Sequence, residues 1–213
     1  GIGIGSPGTI DAKQGVILYS NNFGWENVPI VEELKKHLDT RIEIANDADA
    51  AALGEVCAGA AEGAENAVLL TLGTGVGSGV ILDKKIFRGA MPGGCELGHL
   101  SIRYDGIRCT CGRKGCLEAY ASASALLRIA REKAAEHPES IMNEMCGNDL
   151  EQMNGKIPFD AAKAGDEAGM ETVKEYEGYL ACGIANVINT FRPEKVILGG
   201  GVAAQKDNLT APL

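Results

Sequence analysis

Residues 96–120, ELGHLSIRYDGIRCTCGRKGCLEAY, concentrate side chains that bind metal ions. One imidazole and three thiols lie close together there: His99, Cys109, Cys111 and Cys116. This donor set is typical of a closed, tetrahedral structural zinc site, and thiolates disfavour Mg²⁺ or Ca²⁺. Gly112 and Gly115 allow the sharp turns that would bring the thiols onto one ion. The alternative is free thiols beside an incidental histidine, and the spacing favours zinc.

Two carboxylates, Glu96 and Glu118, flank this cluster and are not needed as ligands once four are present. An ionised carboxylate only accepts hydrogen bonds, so the pair is suited to hold the hydroxyl groups of a polyol. The alternative is that both are solvated surface charges, which is the commoner state of a lone glutamate. Position in the sequence does not decide between these two interpretations.

A third carboxylate, Asp47, follows the strand-like segment RIEIA at the start of an alanine-rich helix. The simpler interpretation is a helix N-cap, a position where aspartate is common. The functional interpretation is a general base toward a hydroxyl group, because α/β sheets bind ligands at the carboxyl ends of their strands. The neighbouring residues must decide between them.

Two glycine turns follow strand-like segments: TLGTGVGSGV at 71–80 and LGGG at 198–201. Successive backbone amides together with the Thr74 hydroxyl can hold phosphate oxygens. The first turn is not a Walker loop, since no Lys-Ser/Thr pair follows, and a strand on either side disfavours the dinucleotide fingerprint. Many such turns are simple hairpins, but two of them after strands are typical of one nucleotide site.

Strands and helices must position these residues, and their patterns mix in an α/β manner. Strand signals fall at residues 1–5, 15–20, 41–45, 67–72, 78–82 and 195–198. Helical patterns fall at 28–38, 47–61, 122–137 and 166–191, the last ending before Pro193. The small, polar segment AEGAEN at 61–66 is the expected hinge between two domains.

Composition excludes several classes of protein. The 213 residues are 45% hydrophobic with a formal charge of −9 and no basic run, which disfavours nucleic acid as a partner of this segment. No apolar run reaches the roughly 18 residues of a membrane span. Neither end resembles a natural terminus, so we expect a chain cut at both ends, and we expect it to be inactive without them. The expected location is the cytoplasm.

Six motifs in this order resemble the ROK family (repressor, open reading frame, kinase): GIGSPG (3–8), NDADAAALGE (46–55), LGTGVGSGV (72–80), ELGH (96–99), CTCGRKGCLE (109–118) and LGGG (198–201). The resemblance covers nearly the whole chain and is greatest to the sugar kinases of the family. It implies an actin-like ATPase (ribonuclease H-like) fold of two α/β domains around a cleft. Residues 1–65 would end the small sugar-binding domain, and 66–213 would form most of the large domain for nucleotide and zinc.

The resemblance implies roles for individual residues. Asp47 matches the catalytic base, and the sugar contacts would be Asn46, Glu96, His99 and Glu118. The phosphates of ATP, with Mg²⁺, would lie on Thr74, Gly75 and Gly77, and the adenosine on Gly199, Gly200 and Gly201. His99 would bind zinc through one ring nitrogen and point the other at the sugar. Asp49, often Asn in relatives, and Ser78, often Gly, depart from the family pattern without touching this chemistry.

The implied activity is ATP-dependent phosphorylation of a hexose, glucose first, at its 6-hydroxyl, by a protein expected to form homodimers. The family also contains sugar-responsive transcriptional repressors, which remain the alternative. A zinc hydrolase is disfavoured because four protein ligands leave no coordination position for water. The sequence does not identify the hexose.

Overall fold

The computed structural model describes residues 1–213, with nine β-strands and eight α-helices. The strands are β1 (Ile2–Ser6), β2 (Thr9–Asp11), β3 (Val16–Ser20), β4 (Trp25–Val28), β5 (Ile42–Asn46), β6 (Ala67–Leu72), β7 (Val76–Leu82), β8 (Lys85–Ile86) and β9 (Lys195–Gly199). The helices are α1 (Ile30–Lys35), α2 (Asp47–Ala58), α3 (Glu118–Ala121), α4 (Ala123–Glu136), α5 (Ile141–Met145), α6 (Ile157–Lys163), α7 (Glu167–Phe191) and α8 (Asp207–Thr210). Three short 3₁₀ helices lie at Leu97–His99, Leu150–Gln152 and Val202–Gln205.

The strands form three sheets. β1 and β5 pair in parallel with Ile2 opposite Ile42 and Ser6 opposite Asn46. β2, β3 and β4 form an antiparallel sheet in that order. The third sheet has the order β8-β7-β6-β9, and β7 pairs antiparallel with β8. β6 carries a near-continuous run of apolar residues, AVLLTL, because both of its faces are covered.

The chain forms two compact units. The first contains Gly1–Leu70, Ser78–Glu96 and Arg192–Ile197, and the second contains Thr71–Gly77, Leu97–Phe191 and Leu198–Leu213. Residues 61–66, the expected hinge, lie inside the first unit. The division of the chain at residue 65 into a sugar domain and a nucleotide domain stays a prediction.

Each unit has its own apolar core. In the first unit Ala52 of α2 packs in one apolar cluster with Leu69 of β6 and Ile81 of β7. The second unit is centred on α7, whose residues Tyr176 and Leu180 are fully buried against α3 and α4. A 25-residue helix is stable here because one of its faces is covered along its length.

The element pattern matches the sequence expectations closely. All six expected strands form within two residues of their expected bounds, and the four expected helices form as α1, α2, α4 and α7. Ser122 caps α4 by accepting a hydrogen bond from the backbone N–H of Ala125. β2, β4 and β8 were not expected, because each has at most four residues and too few positions for an alternating pattern to show.

None of the helices combines the length and the apolar composition that crossing a bilayer requires.

Candidate functional site

The histidine and the three cysteines of the predicted metal site come together in the second unit. The ligand atoms of His99, Cys109, Cys111 and Cys116 all lie within 4.8 Å of one another. The Cys111 and Cys116 sulfurs are 3.7 Å apart, and the Cys109 sulfur is 3.6 Å from Nδ1 of His99. Tetrahedral coordination at a zinc–sulfur distance of about 2.3 Å separates two sulfurs by about 3.8 Å. These two distances match that spacing, and all four side chains lie close enough to bind one ion.

The thiols differ in their surroundings. Cys109 and Cys116 are buried, and burial raises the pKa of both thiols, that of Cys116 to about 12. Cys111 is exposed, and a backbone hydrogen bond from Arg113 lowers the pKa of its thiol. Two buried thiols are costly to ionise, and a divalent cation would compensate that cost. The donor chemistry fits a thiophilic metal ion.

Short hydrogen bonds fold the segment that carries the cysteines. The backbone N–H of Cys109 donates to the carbonyl of Arg113 at 2.8 Å, and isolated bridges pair Ser101 with Cys116 and Arg108 with Lys114. Gly115 has a φ of 75°, and a Cβ there would lie 1.6 Å from the Arg103 carbonyl oxygen. Only glycine fits this turn, which confirms the expected turning role.

A buried tyrosine holds this segment against the helical core. Tyr120 accepts a hydrogen bond from the backbone N–H of Ile107 at 2.6 Å, and its ring lies 4.7 Å from the ring of Tyr179. Tyr176 donates from its hydroxyl to the carbonyl of Ala121 at 2.7 Å, which fixes α3 against α7. The cysteine segment is therefore anchored to the longest helix through α3.

Glu118 begins α3 and connects the cysteine segment to the first glycine turn. Its Oε2 accepts from the backbone N–H of Val76 at 3.1 Å, and its Oε1 accepts from the Thr110 hydroxyl at 2.9 Å. The Cys109 thiol lies 3.5 Å from Oε1. A Cβ at Gly75 would lie 2.4 Å from Oε2, so a larger residue there would displace the carboxylate. The sequence suggested only a sugar contact for Glu118 and missed this structural one.

The first glycine turn, residues 73–75, joins β6 to β7. The N–H of Gly73 donates to the carbonyl of Gly75 at 3.0 Å, and the start of α4 holds the turn from outside. There the Ala123 N–H donates to the Gly73 carbonyl at 2.8 Å, and the Ser124 hydroxyl donates to the Thr74 carbonyl at 2.9 Å. Thr74 itself is exposed, so its hydroxyl is available to a ligand. Gly77, expected in the same loop, lies within β7.

The second glycine turn follows β9, of which Gly199 is the last residue. Gly200 has a φ of 85°, and a Cβ there would lie 2.6 Å from the carbonyl oxygen of Leu72. Gly201 lines a cavity of about 1040 Å³ together with residues that include Asn154, Lys156 and Lys206. A cavity of this size can hold a nucleoside.

In the first unit, Asn46 and Asp47 lie where β5 meets α2. Asn46 caps the helix, because its Oδ1 accepts from the backbone N–H groups of Ala48 and Asp49 at 2.9 and 3.2 Å. Its Nδ2 donates to the Gly8 carbonyl at 3.2 Å. Asp47 is the exposed first residue of α2 and is not its N-cap. The simpler interpretation of Asp47 is therefore wrong, because the preceding asparagine already does the capping.

The predicted residues are thus divided between the two units. The first unit holds Asn46, Asp47 and the exposed Glu96, and the second holds the metal cluster, Glu118 and both glycine turns. Within the second unit the metal cluster and the first glycine turn meet at one carboxylate, Glu118. The roles of these residues toward sugar and nucleotide stay predictions.

Comparison with known proteins agrees with the motifs. The sequence profile of the ROK family matches residues 1–213. A glucokinase of Thermotoga maritima is 40% identical over 213 residues, which are 100% of this chain and 67% of the relative. A xylose repressor of Caldicellulosiruptor bescii is 34% identical over 93% of this chain and 49% of its own. The chain spans about two thirds of the length of the glucokinases it matches and about half that of the repressors.

Solved structures confirm the fold. A ROK family glucokinase from Streptomyces griseus, in complex with glucose and AMPPNP, has a TM-score of 0.88 and 33% identity over 99% of this chain and 68% of its own. The expected α/β fold, the actin-like ATPase fold of the ROK proteins, is therefore correct.

Proposed function

The chain belongs to the ROK family, and from this premise we propose that the protein transfers the γ-phosphoryl group of ATP to the 6-hydroxyl of a hexose, with glucose the first candidate. The observation that carries the proposal is the state of Asp47. Its carboxylate is exposed at the carboxyl end of β5, and Asn46 rather than Asp47 caps α2. Oδ1 of Asp47 accepts from the backbone N–H of Ala48 at 2.9 Å, which leaves Oδ2 to accept a proton. The glucokinase relatives support the choice of reaction.

Phosphoryl transfer needs positioning and charge stabilisation more than covalent chemistry from the protein. Asp47 accepts the proton of the attacking hydroxyl, while Asn46, Glu96, His99 and Glu118 hold the other hydroxyls of the sugar. The remaining N–H of the Asn46 amide can donate to the sugar, since only one is used on Gly8. His99 places Nδ1 toward the thiols, which leaves Nε2 for a sugar oxygen.

The nucleotide is proposed to lie in the second unit. The exposed Thr74 and the amides of Gly75 and Gly77 face the phosphates, while Gly199 and Gly200 let the backbone approach the adenosine closely. Gly201 lines the cavity of about 1040 Å³ that would receive the base. Bound Mg²⁺ supplies positive charge to the phosphates.

The test is ADP release from Mg-ATP by the full-length protein across a panel of hexoses. Replacing Asp47 by Asn keeps its shape and removes its basicity, so we expect kcat to fall at least about 100-fold while hexose binding in calorimetry is kept. Asp39→Asn, at another exposed position of the first unit, is the matched control and retains activity. Near-normal turnover of the Asp47→Asn variant would remove Asp47 from the mechanism.

We further propose that His99, Cys109, Cys111 and Cys116 hold a structural zinc ion, which supplies a cross-link and leaves no position open for water. We expect about one zinc ion per chain in the wild type and its loss in a Cys116→Ser variant, with lower thermal stability. Cys146→Ser changes another buried cysteine outside the cluster and is the control. Equal zinc content in both variants, measured by mass spectrometry of the metal, would contradict the assignment.

A sugar-responsive repressor is the second candidate, favoured by the 34% identity to a xylose repressor. It predicts hexose or pentose binding without ADP release in the same experiment. A homodimer and a cytoplasmic location stay predictions of the family resemblance.

A further inference from the structure

Residues 87–96 connect β8 to the 3₁₀ helix at Leu97–His99 without regular secondary structure and end at Glu96, a proposed sugar contact. The segment contains Gly89, Gly93 and Gly94, all with positive φ, so its own backbone restrains it weakly. Hydrogen bonds to β7 hold its first residue, Phe87, and Cys95 near its end. The Phe87 N–H donates to the Val80 carbonyl at 2.7 Å, and the Ser78 hydroxyl donates to the Cys95 carbonyl. Residues 88–94 lie between these two hydrogen bonds.

An ion pair joins this part of the segment to α2. Nε of Arg88 donates to Oδ2 of Asp49 at 3.3 Å, and the Asp49 side chain is only 3% exposed. Gly94 also lies against this carboxylate, since a Cβ there would be 3.5 Å from Oδ2. A cavity of about 250 Å³ lies between residues 88–92 and residues 10–13. Packing there is incomplete, and the ion pair is a polar contact that joins this part of the segment to α2.

Asp49 lies in the first turn of α2, the helix that begins at Asp47. Burial raises the pKa of Asp49, and the positive charge of Arg88 opposes that rise. The negative charge of Asp47 raises the pKa of Asp49 further, and Arg88 is the cation that lowers it. The buried carboxylate depends on this partner, and removing Arg88, whose own side chain is 37% exposed, leaves the charge of Asp49 buried without a cation.

We propose that Asp49 and Arg88 are positioning residues that fasten the segment 87–96 to the first turn of α2, so that Glu96 is held in place for the sugar. The proposal rests on the proposed function for the role of Glu96, but the fastening itself does not. The exposed pair Arg41–Glu43 is a natural comparison within the same unit. It is shorter, 2.9 Å, but its side chains are 82% and 63% exposed, so water and salt weaken it.

The first test is hydrogen–deuterium exchange of the full-length protein, read on the peptide that covers residues 87–96. In Asp49→Asn and in Arg88→Met we expect exchange of this peptide to accelerate about tenfold or more, while the peptide covering β5 stays unchanged. Arg41→Met is the matched control and leaves the segment unchanged. Equal protection of the segment in all four proteins would overturn the proposal. Faster exchange throughout the first unit would overturn it too, because the pair would then stabilise the whole fold.

The second test separates binding from chemistry. Because Asp47 lies on the intact helix, we expect the KM for the hexose to rise about tenfold in either variant with kcat within about twofold of the wild type. The double variant has no further effect, since both changes break one contact. Additive effects, or an unchanged KM, would contradict the positioning role. If the wild type phosphorylates no sugar, the proposed function fails while the exchange experiment still decides whether the segment is fastened.

Discussion

Glu118 offers the sharpest test of how the second unit is built, because it serves two donors at once. Replacing it by Ala leaves the N–H of Val76, a residue only 4% exposed, without an acceptor. Losing a charge-assisted hydrogen bond of this kind costs about 1.5–3 kcal/mol. The bond from the more exposed Thr110 hydroxyl adds about 0.5–1 kcal/mol. We therefore expect Glu118→Ala to lower the free energy of unfolding by about 2–4 kcal/mol.

Glu118→Gln separates the carboxylate's charge from its shape. The amide oxygen can still accept from Val76, and the amide NH₂ can donate to the Thr110 oxygen, so we expect a loss of only about 1 kcal/mol. Thr110→Val, which removes the weaker bond alone, costs no more than this. Urea unfolding gives the three free energies. The KM for ATP should follow the same order, since the Val76 N–H holds the first glycine turn.

One result would refute this reasoning. If Glu118→Ala unfolds at the same urea concentration as the wild type and changes only sugar affinity, the carboxylate serves the sugar alone and the contact with Val76 is unimportant.

Two further predictions concern buried polar groups. Tyr120→Phe removes the acceptor for the Ile107 N–H and should lower the free energy of unfolding by about 1–2 kcal/mol in urea, whereas Tyr104→Phe, at a residue 98% exposed, changes nothing measurable. Asp49 gives a pH dependence. Burial raises the pKa of Asp49 above the ordinary 3.8, so the folded state binds this proton more tightly than the unfolded state. The stability that comes from this difference in proton binding is complete below pH 3.8 and is lost as the pH rises through the folded-state pKa. The unfolding free energy of the wild type relative to Asp49→Asn should therefore fall with rising pH, and a difference that grows with pH would show the opposite shift.

Features encoded over short stretches could be predicted from the sequence. The proximity of His99 and the three cysteines was predicted because all four lie in one short segment, and zinc as their ligand stays a prediction. The end of α7 was predicted because Pro193 prevents the preceding residue from being helical. The start of α2 was predicted to within one residue. Asn46 and Asp47 are both suitable caps, however, and only the backbone shows that the asparagine does the capping.

Contacts between distant parts of the chain could not be predicted in this way. Arg88 and Asp49 are 39 residues apart, and Glu118 and Val76 are 42 apart. No periodicity links such positions, because the contact depends on which elements the topology places side by side. Asp49 and Ser78 were noted as departures from the family pattern without a role. The structure gives both of them a contact with the segment 87–96.

The metal cluster and the first glycine turn are parts of one packed assembly. Cys116, Leu117 and Glu118 are consecutive, so the residue that contributes a thiol is covalently close to the one that binds the turn. Leu117 lies between them, fully buried in the same core as Leu72 and Val76, the residues at the two ends of that turn. Movement of the cysteine segment would therefore displace α3, and α3 carries the carboxylate that accepts from Val76. The zinc ion that we propose at the cysteines would therefore order the proposed phosphate site as well as His99.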